Sequence, residues 1–394
     1  MDGYEGMNGL QTIIVLGAGA SYCYGMPTQN DIIGRLFALF DVTSGEGFPT
    51  FCGTYGMKHS FPLGQFLRKY FKLPENPAKE NAKLDFWPAI QQKGYTLESL
   101  YALLETVLPD ESRYLLEDFE AIIRTAVTEP TDERTFEGTC EYHRMLIESL
   151  EPGDSIINFN WDTLAADALL YHSYLWFPGT GFGMPGVYPL IRNVTQKRYN
   201  IDSFVQLFHL HGSVALLELI NPDKNDRAPR YVYLGPKSYN AMGSFADFIE
   251  HKKKAAGAIS SEAEPSQEEQ GRFKYGWYWI KGHWYRPVFL PPSKFKPAYS
   301  SPYIRMMKTH IHNRLLSAQQ IIIAGYSLPE ADIEHLSAVF IPQIIDSTIK
   351  LKVVNPSNDD GAYRERIMKC FPENSDVDYS DCDFKEFCKK IGNR

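Results

Sequence analysis

Residues 12–17, TIIVLG, form an unbroken apolar run rich in β-branched side chains and closed by glycine. A run without polar alternation suits a strand covered on both faces, and such strands belong to parallel sheets flanked by helices. The run passes directly into Gly17-Ala18-Gly19, where the missing side chains let the backbone approach another group closely. One short stretch therefore narrows the choice of fold to strand–turn–helix architectures.

The same alternation recurs along the chain. NDIIGRLFALF (30–40) has helical spacing behind an asparagine cap, DSIINFN (154–160) reads as a strand, and TLAADALLY (163–171) reads as the helix after it. FVQLFHLHG (204–212) is a further strand ending in glycine. A helix over 303–318 precedes strand QIIIAGYS (320–327), helix EADIEHLSAVF (330–340) and strand IKLKVVNPS (349–357), with helices over 363–371 and 383–391 closing the pattern. Between 96 and 150, TLESLYALLETVL, RYLLEDFEAIIRTAV and CEYHRMLIESL are three amphipathic stretches. The expected fold is α/β, a Rossmann-like parallel sheet with flanking helices plus a helical insertion or second domain. Residues 1–95 are its first part, with an irregular insertion after residue 40. Residues 96–150 are the helical insertion, and 151–394 the remainder. Within that remainder, the small and charged residues 251–271 are expected to form a mobile loop.

Bulk properties exclude several function classes. An apolar fraction of 44% over 394 residues is ample for a sizeable core. The net charge of −8 argues against a surface built to neutralise phosphates, so direct nucleic-acid binding is not expected. The aromatic and basic stretch GRFKYGWYWIKGHWYRP (271–287) is read as core packing or a subunit interface. No stretch approaches the length of a membrane span, and the polar start MDGYEGMNGLQ is no signal peptide. Cys23, Cys52, Cys140, Cys370, Cys382 and Cys388 form no C-x-x-C pair, which suits a reducing, cytoplasmic setting and no zinc site.

Four strands end in glycine or amide-bearing peptides: Gly17-Ala18-Gly19, Asn158-Phe159-Asn160, His211-Gly212 and Gly325-Tyr326-Ser327. Parallel α/β sheets bind ligands at that edge. Gly17 and Gly19 could bring amides against a phosphate, helped by a following helix N-terminus and the Ser21 hydroxyl, or could form only a tight turn. The spelling departs from a dehydrogenase fingerprint, because the third glycine is replaced by Tyr22 and Asp41 follows a helix rather than a strand. Asn158 and Asn160 stand two apart and would share a strand face beside Asp162. His209 and His211 repeat that spacing. A histidine can serve as a base near neutral pH, and no third ligand stands at metal-site spacing.

In order, these pieces resemble the sirtuin family: GAGAS (17–21), GMP (25–27), FNWD (159–162), HG (211–212), GYS (325–327) and VNPS (354–357). GYSLPEAD and the double proline before the preceding helix are similar to bacterial sirtuin-like NAD hydrolases of phage defence. The resemblance implies that Gly17, Ala18, Gly19 and Ser21, with Pro27 and Gly212 of the matching motifs, hold NAD. It further implies that Asn160 and Asp162 face the nicotinamide ribose and carboxamide, that His211 is the base, and that Gly325, Ser327 and Asn355 bind the adenosine half. Thr28-Gln29-Asn30 replaces the Asp-Phe-Arg of deacylating members, and no cysteine module is available for their zinc. The expected activity is therefore NAD hydrolysis without a metal, with protein deacylation or a non-catalytic NAD or ADP-ribose sensor as alternatives. Control by homo-oligomerisation or by a HerA-type ATPase partner is implied by resemblance alone.

Overall fold

The computed structural model describes residues 11–28, 31–32, 66, 69–72, 93–108, 140–183, 186–190, 204–220, 228–234, 277–290, 302–329, 332, 349–356, 360–371 and 377–392, with a few positions between 115 and 127. The expected helix over 30–40, the second amphipathic stretch (113–127), the loop 251–271 and the helix over 330–340 lie largely or wholly outside them.

Eleven strands are present among these residues: β1 (Thr12–Leu16), β2 (Ser155–Asn158), β3 (Val187–Leu190), β4 (Gln206–His209), β5 (Gly212–Leu219), β6 (Tyr231–Leu234), β7 (Tyr278–Ile280), β8 (His283–Phe289), β9 (Gln320–Ala324), β10 (Lys350–Val354) and β11 (Val377–Ser380). Six of them form one sheet in the order β11-β10-β9-β1-β2-β4, and every pair in it is parallel. The apolar run that constrained the fold sits near its middle, with Ile13 to Leu16 fully buried. Renumbered along the chain, the order is that of dinucleotide-binding sheets: three strands are laid down outward from β1 in one direction, then three in the other. The reversal falls between β1 and β9, paired from Thr12↔Gln320 to Leu16↔Ala324. A crevice opens there beyond the C-terminal ends.

Helices follow the strands as their apolar spacing predicts. Helix α1 (Ala18–Tyr22) is little more than one turn. Helix α2 (Leu97–Val107) starts at a reciprocal cap, the Thr96 hydroxyl accepting from the Ser99 amide and the Ser99 hydroxyl from the Thr96 amide. Helix α3 (Glu141–Glu148) packs against α4 (Leu164–His172). Helices α5 (Pro302–Leu315), α6 (Gly361–Cys370) and α7 (Phe384–Gly392) follow, α7 also resting on α3, and a single turn at Pro178–Gly181 leads into β3. The amphipathic region is divided between two cores. Leu146, Ile147 and Leu150 join the core of the parallel sheet, whereas Leu97, Leu100, Tyr101 and Leu104 of α2 join a second cluster with Trp161 and Val214.

The remaining strands make a mixed sheet, β3-β6-β5-β8-β7, which the sequence reading did not anticipate. Its hairpin β7–β8 closes on Lys281-Gly282, both at positive φ (48° and 88°), the two-residue turn that matches strand twist. The described part of the aromatic stretch, residues 277–287, falls in this hairpin. Tyr278, Trp284 and Tyr285 are buried, and Trp279 meets Trp284 edge-on at 5.2 Å. The chain enters the sheet at Gly212, whose φ is +79° and where a Cβ would collide with the Val288 carbonyl. Among the described residues, no helix is long and apolar enough to cross a membrane.

Candidate active site

A cavity of about 430 Å³ opens at the reversal point, within the range of small-molecule sites. Of the residues singled out from sequence, Ala18, Gly19, Pro27, Asn160, Asp162, His211, Gly325, Ser327 and Asn355 line it. Gly17, Ser21 and Gly212 stand outside the lining, and each has another task.

The Gly17 amide donates to the Ala324 carbonyl (3.2 Å) and the Gly19 amide to the Gly325 carbonyl (2.7 Å). Both donors expected to face a phosphate are thus engaged in joining the β1 turn to the β9 turn. The glycines are needed for that junction. A Cβ on Gly17 would fall on Tyr326, and one on Gly19 would stand 2.9 Å from the Cα and carbonyl oxygen of Gly325. Gly325 itself has φ +60°, and a Cβ on it would collide with the Gly19–Ala20 peptide. The small residues let two turns interlock, and this interlock forms one wall of the cavity. The short α1 also offers much less dipole than a full helix would.

Ser21 is only 1% exposed and is not part of the cavity lining. It accepts from the Asn160 side-chain nitrogen (2.9 Å) and is hydrogen-bonded to Asp162. Asn160 Nδ2 also donates to the Gly17 carbonyl (2.9 Å). A side-chain amide has two N–H groups, so Asn160 keeps only its carbonyl Oδ1, an acceptor, for anything in the cavity. Asn158 does not share its role: its Oδ1 accepts from the Asn160 backbone amide (3.0 Å), turning the strand end so that Asn160 reaches the cavity. Asp162 accepts from the Leu164 amide (3.0 Å) at the start of α4. Burial raises its pKa, opposed by the bonds from Ser21 and Leu164.

His211 follows β4 and meets the edge of Phe159 at 5.0 Å and the ring of Trp161 at 6.2 Å. Its Nε2 lies 3.3 Å from Asp332 Oδ1, and the Tyr326 hydroxyl donates to Asp332 Oδ2 at 2.6 Å. Asp332 and Tyr326 were legible only as letters of GYSLPEAD, because their link to His211 joins distant segments. His209, two residues before His211, is fully buried. Burial lowers its pKa to about 4, only partly opposed by a contact with the Asn160 backbone, so it is neutral at pH 7. Among the described residues, no group of three or more His, Cys, Asp or Glu side chains could hold a metal.

The fold and cavity define a parallel α/β sheet of dinucleotide-binding strand order with an amide, a carboxylate and a histidine at its switch point. No family model and no curated protein matches the chain. Among solved structures it is similar to a substituted Sir2 homologue complexed with 2′-O-acetyl ADP ribose (13% identity, TM-score 0.37, covering 97% of this chain and 90% of that chain). It is also similar to Sir2 with a p53 peptide and NAD+ (13%, TM-score 0.34, 97% and 92%) and to a Sir2 homologue complexed with NAD (12%, TM-score 0.33, 98% and 88%). These are loose superpositions, so the chemistry is read from the site's own geometry.

Proposed function

We propose that the chain is an NAD hydrolase, cleaving the nicotinamide–ribose bond to give nicotinamide and ADP-ribose. The observation that carries this reading is that Asn160 and His211 converge in one cavity at the switch point of a sheet ordered as dinucleotide-binding sheets are. The leaving group is a pyridinium, so it departs with the bonding pair as neutral nicotinamide and needs no proton. The catalytic task is to hold the ribose, accommodate oxocarbenium-like charge at C1′ and aim a water. Asn160 Oδ1 accepts a hydrogen bond from that water or a ribose hydroxyl. His211 takes the proton released as the water oxygen bonds to C1′. Asp162 lies beside Asn160 at the nicotinamide end, while Gly325, Ser327 and Asn355 border the adenosine side. Ala18, Gly19 and Pro27 line the turn between them.

Depletion of NAD in phage defence, cytoplasmic location, and restraint by self-association or by a HerA-type ATPase follow from the resemblance of the motifs and belong to the same proposal. Incubating purified protein with NAD, with and without an acetyl-lysine peptide, tests it by chromatography of nicotinamide. Release without peptide, reduced at least about 100-fold in Asn160→Ala and His211→Ala, supports hydrolysis. Strict dependence on peptide assigns deacylation instead, and NAD binding without release assigns a sensor.

A further inference from the structure

We propose that Asp332, locked by Tyr326, is a positioning residue that orients the His211 imidazole with Nε2–H toward the carboxylate and raises its affinity for a proton. The consequence for catalysis rests on the reading of His211 as the base; the unit itself rests on geometry. Asp332 is 2% exposed at its side chain and His211 9%, so their 3.3 Å contact is sheltered from water. A carboxylate so deep is costly unless charge and hydrogen bonds compensate it. Its second oxygen receives the Tyr326 hydroxyl at 2.6 Å. Tyr326 cannot drift: its ring stacks on Phe159 (4.4 Å, 18°), its Cα and Cβ abut Gly17, and its carbonyl accepts from the Tyr363 hydroxyl (2.9 Å). Phe159 in turn stands edge-on to His211, at 88°.

Carboxylate and imidazole are thus held by one packed set of rings. When His211 accepts a proton, the new charge forms beside a carboxylate already in place, without reorganisation. Tyr22, Asp162 and Asp383 are the other titratable groups lining the cavity, and the test leaves them unchanged.

Histidine-selective ¹⁵N labelling and an NMR pH titration of the full chain test the unit, with His211→Gln assigning the resonance. In wild type, neutral His211 is expected as the Nε2–H tautomer. Asp332→Asn is expected to lower its pKa by about one unit, a tenfold loss of proton affinity. It should also lower kcat for NAD cleavage about 100-fold with KM nearly unchanged, and Asp332→Glu should restore part of it. An Nδ1–H tautomer in wild type overturns the proposal, even if Asp332→Asn fails to fold. An unshifted His211 titration in folded Asp332→Asn overturns it as well. If wild type releases no nicotinamide, the hydrolase reading fails while the titration still decides the unit.

Discussion

Ser21 lies within the glycine-rich turn but behind the cavity wall. Its hydroxyl ties Asn160 to Asp162, so its loss leaves the Asn160 side chain held by the Gly17 carbonyl alone and Asp162 short of a donor. A hydrogen bond of this kind is worth about 1 kcal/mol. Ser21→Ala is therefore expected to fold and to lose about fivefold in the rate of NAD cleavage, measured as kcat by nicotinamide release. His209 makes a prediction independent of function. Its pKa is about 6.5 when unfolded and about 4 in the fold, so between those values the unfolded chain binds the extra proton. This group leaves stability intact above pH 6.5 and removes it as pH falls toward 4, by about 3 kcal/mol in total. Urea denaturation at pH 7 and pH 4.5 should show a smaller acid loss in His209→Leu than in wild type.

At the scale of elements, the glycines separate into two kinds. Gly212 combines φ +79° with a backbone carbonyl where a Cβ would stand, whereas Gly186 has φ +77° and open space around it. Gly186→Ala is expected to cost about 1 kcal/mol, the ordinary penalty of a left-handed alanine. Gly212→Ala must also displace β8 and is expected to unfold the mixed sheet; thermal melting of the two variants side by side checks the contrast. The sequence showed Gly212 as half of a His-Gly motif and suggested a ligand contact. Its structural duty was hidden, because β8 lies far along the chain. Strands β1, β2 and β9 of the parallel sheet were readable since each carries a run of buried, branched apolar residues. Short strands such as β3 and β11 carry no comparable run, and their pairing is decided by partners elsewhere in the sequence.

Across the whole molecule, Trp161 joins the two cores. Its indole nitrogen donates to the Leu290 carbonyl (3.2 Å), its ring lies 5.0 Å from Phe289, and its carbonyl accepts from the Val214 amide (3.0 Å). It belongs to the α2 cluster, yet sits between Asn160 and Asp162 in the chain. Trp161→Ala is expected to destabilise by about 3–5 kcal/mol, read from denaturant midpoints, and to widen the cavity. Asn160 and His211 were legible as candidates for the cavity wall because both follow strands at the edge where parallel sheets bind ligands. The sequence by itself determined the sheet type, the positions of most helices and that edge, since burial on both faces and helical period are local patterns. Tertiary structure alone decided that Gly17 and Gly19 pack against Tyr326 and Gly325, that Ser21 turns inward, and that Asp332 meets His211. Each of those depends on two segments far apart in the chain, whose approach is fixed only when strands pair and side chains pack.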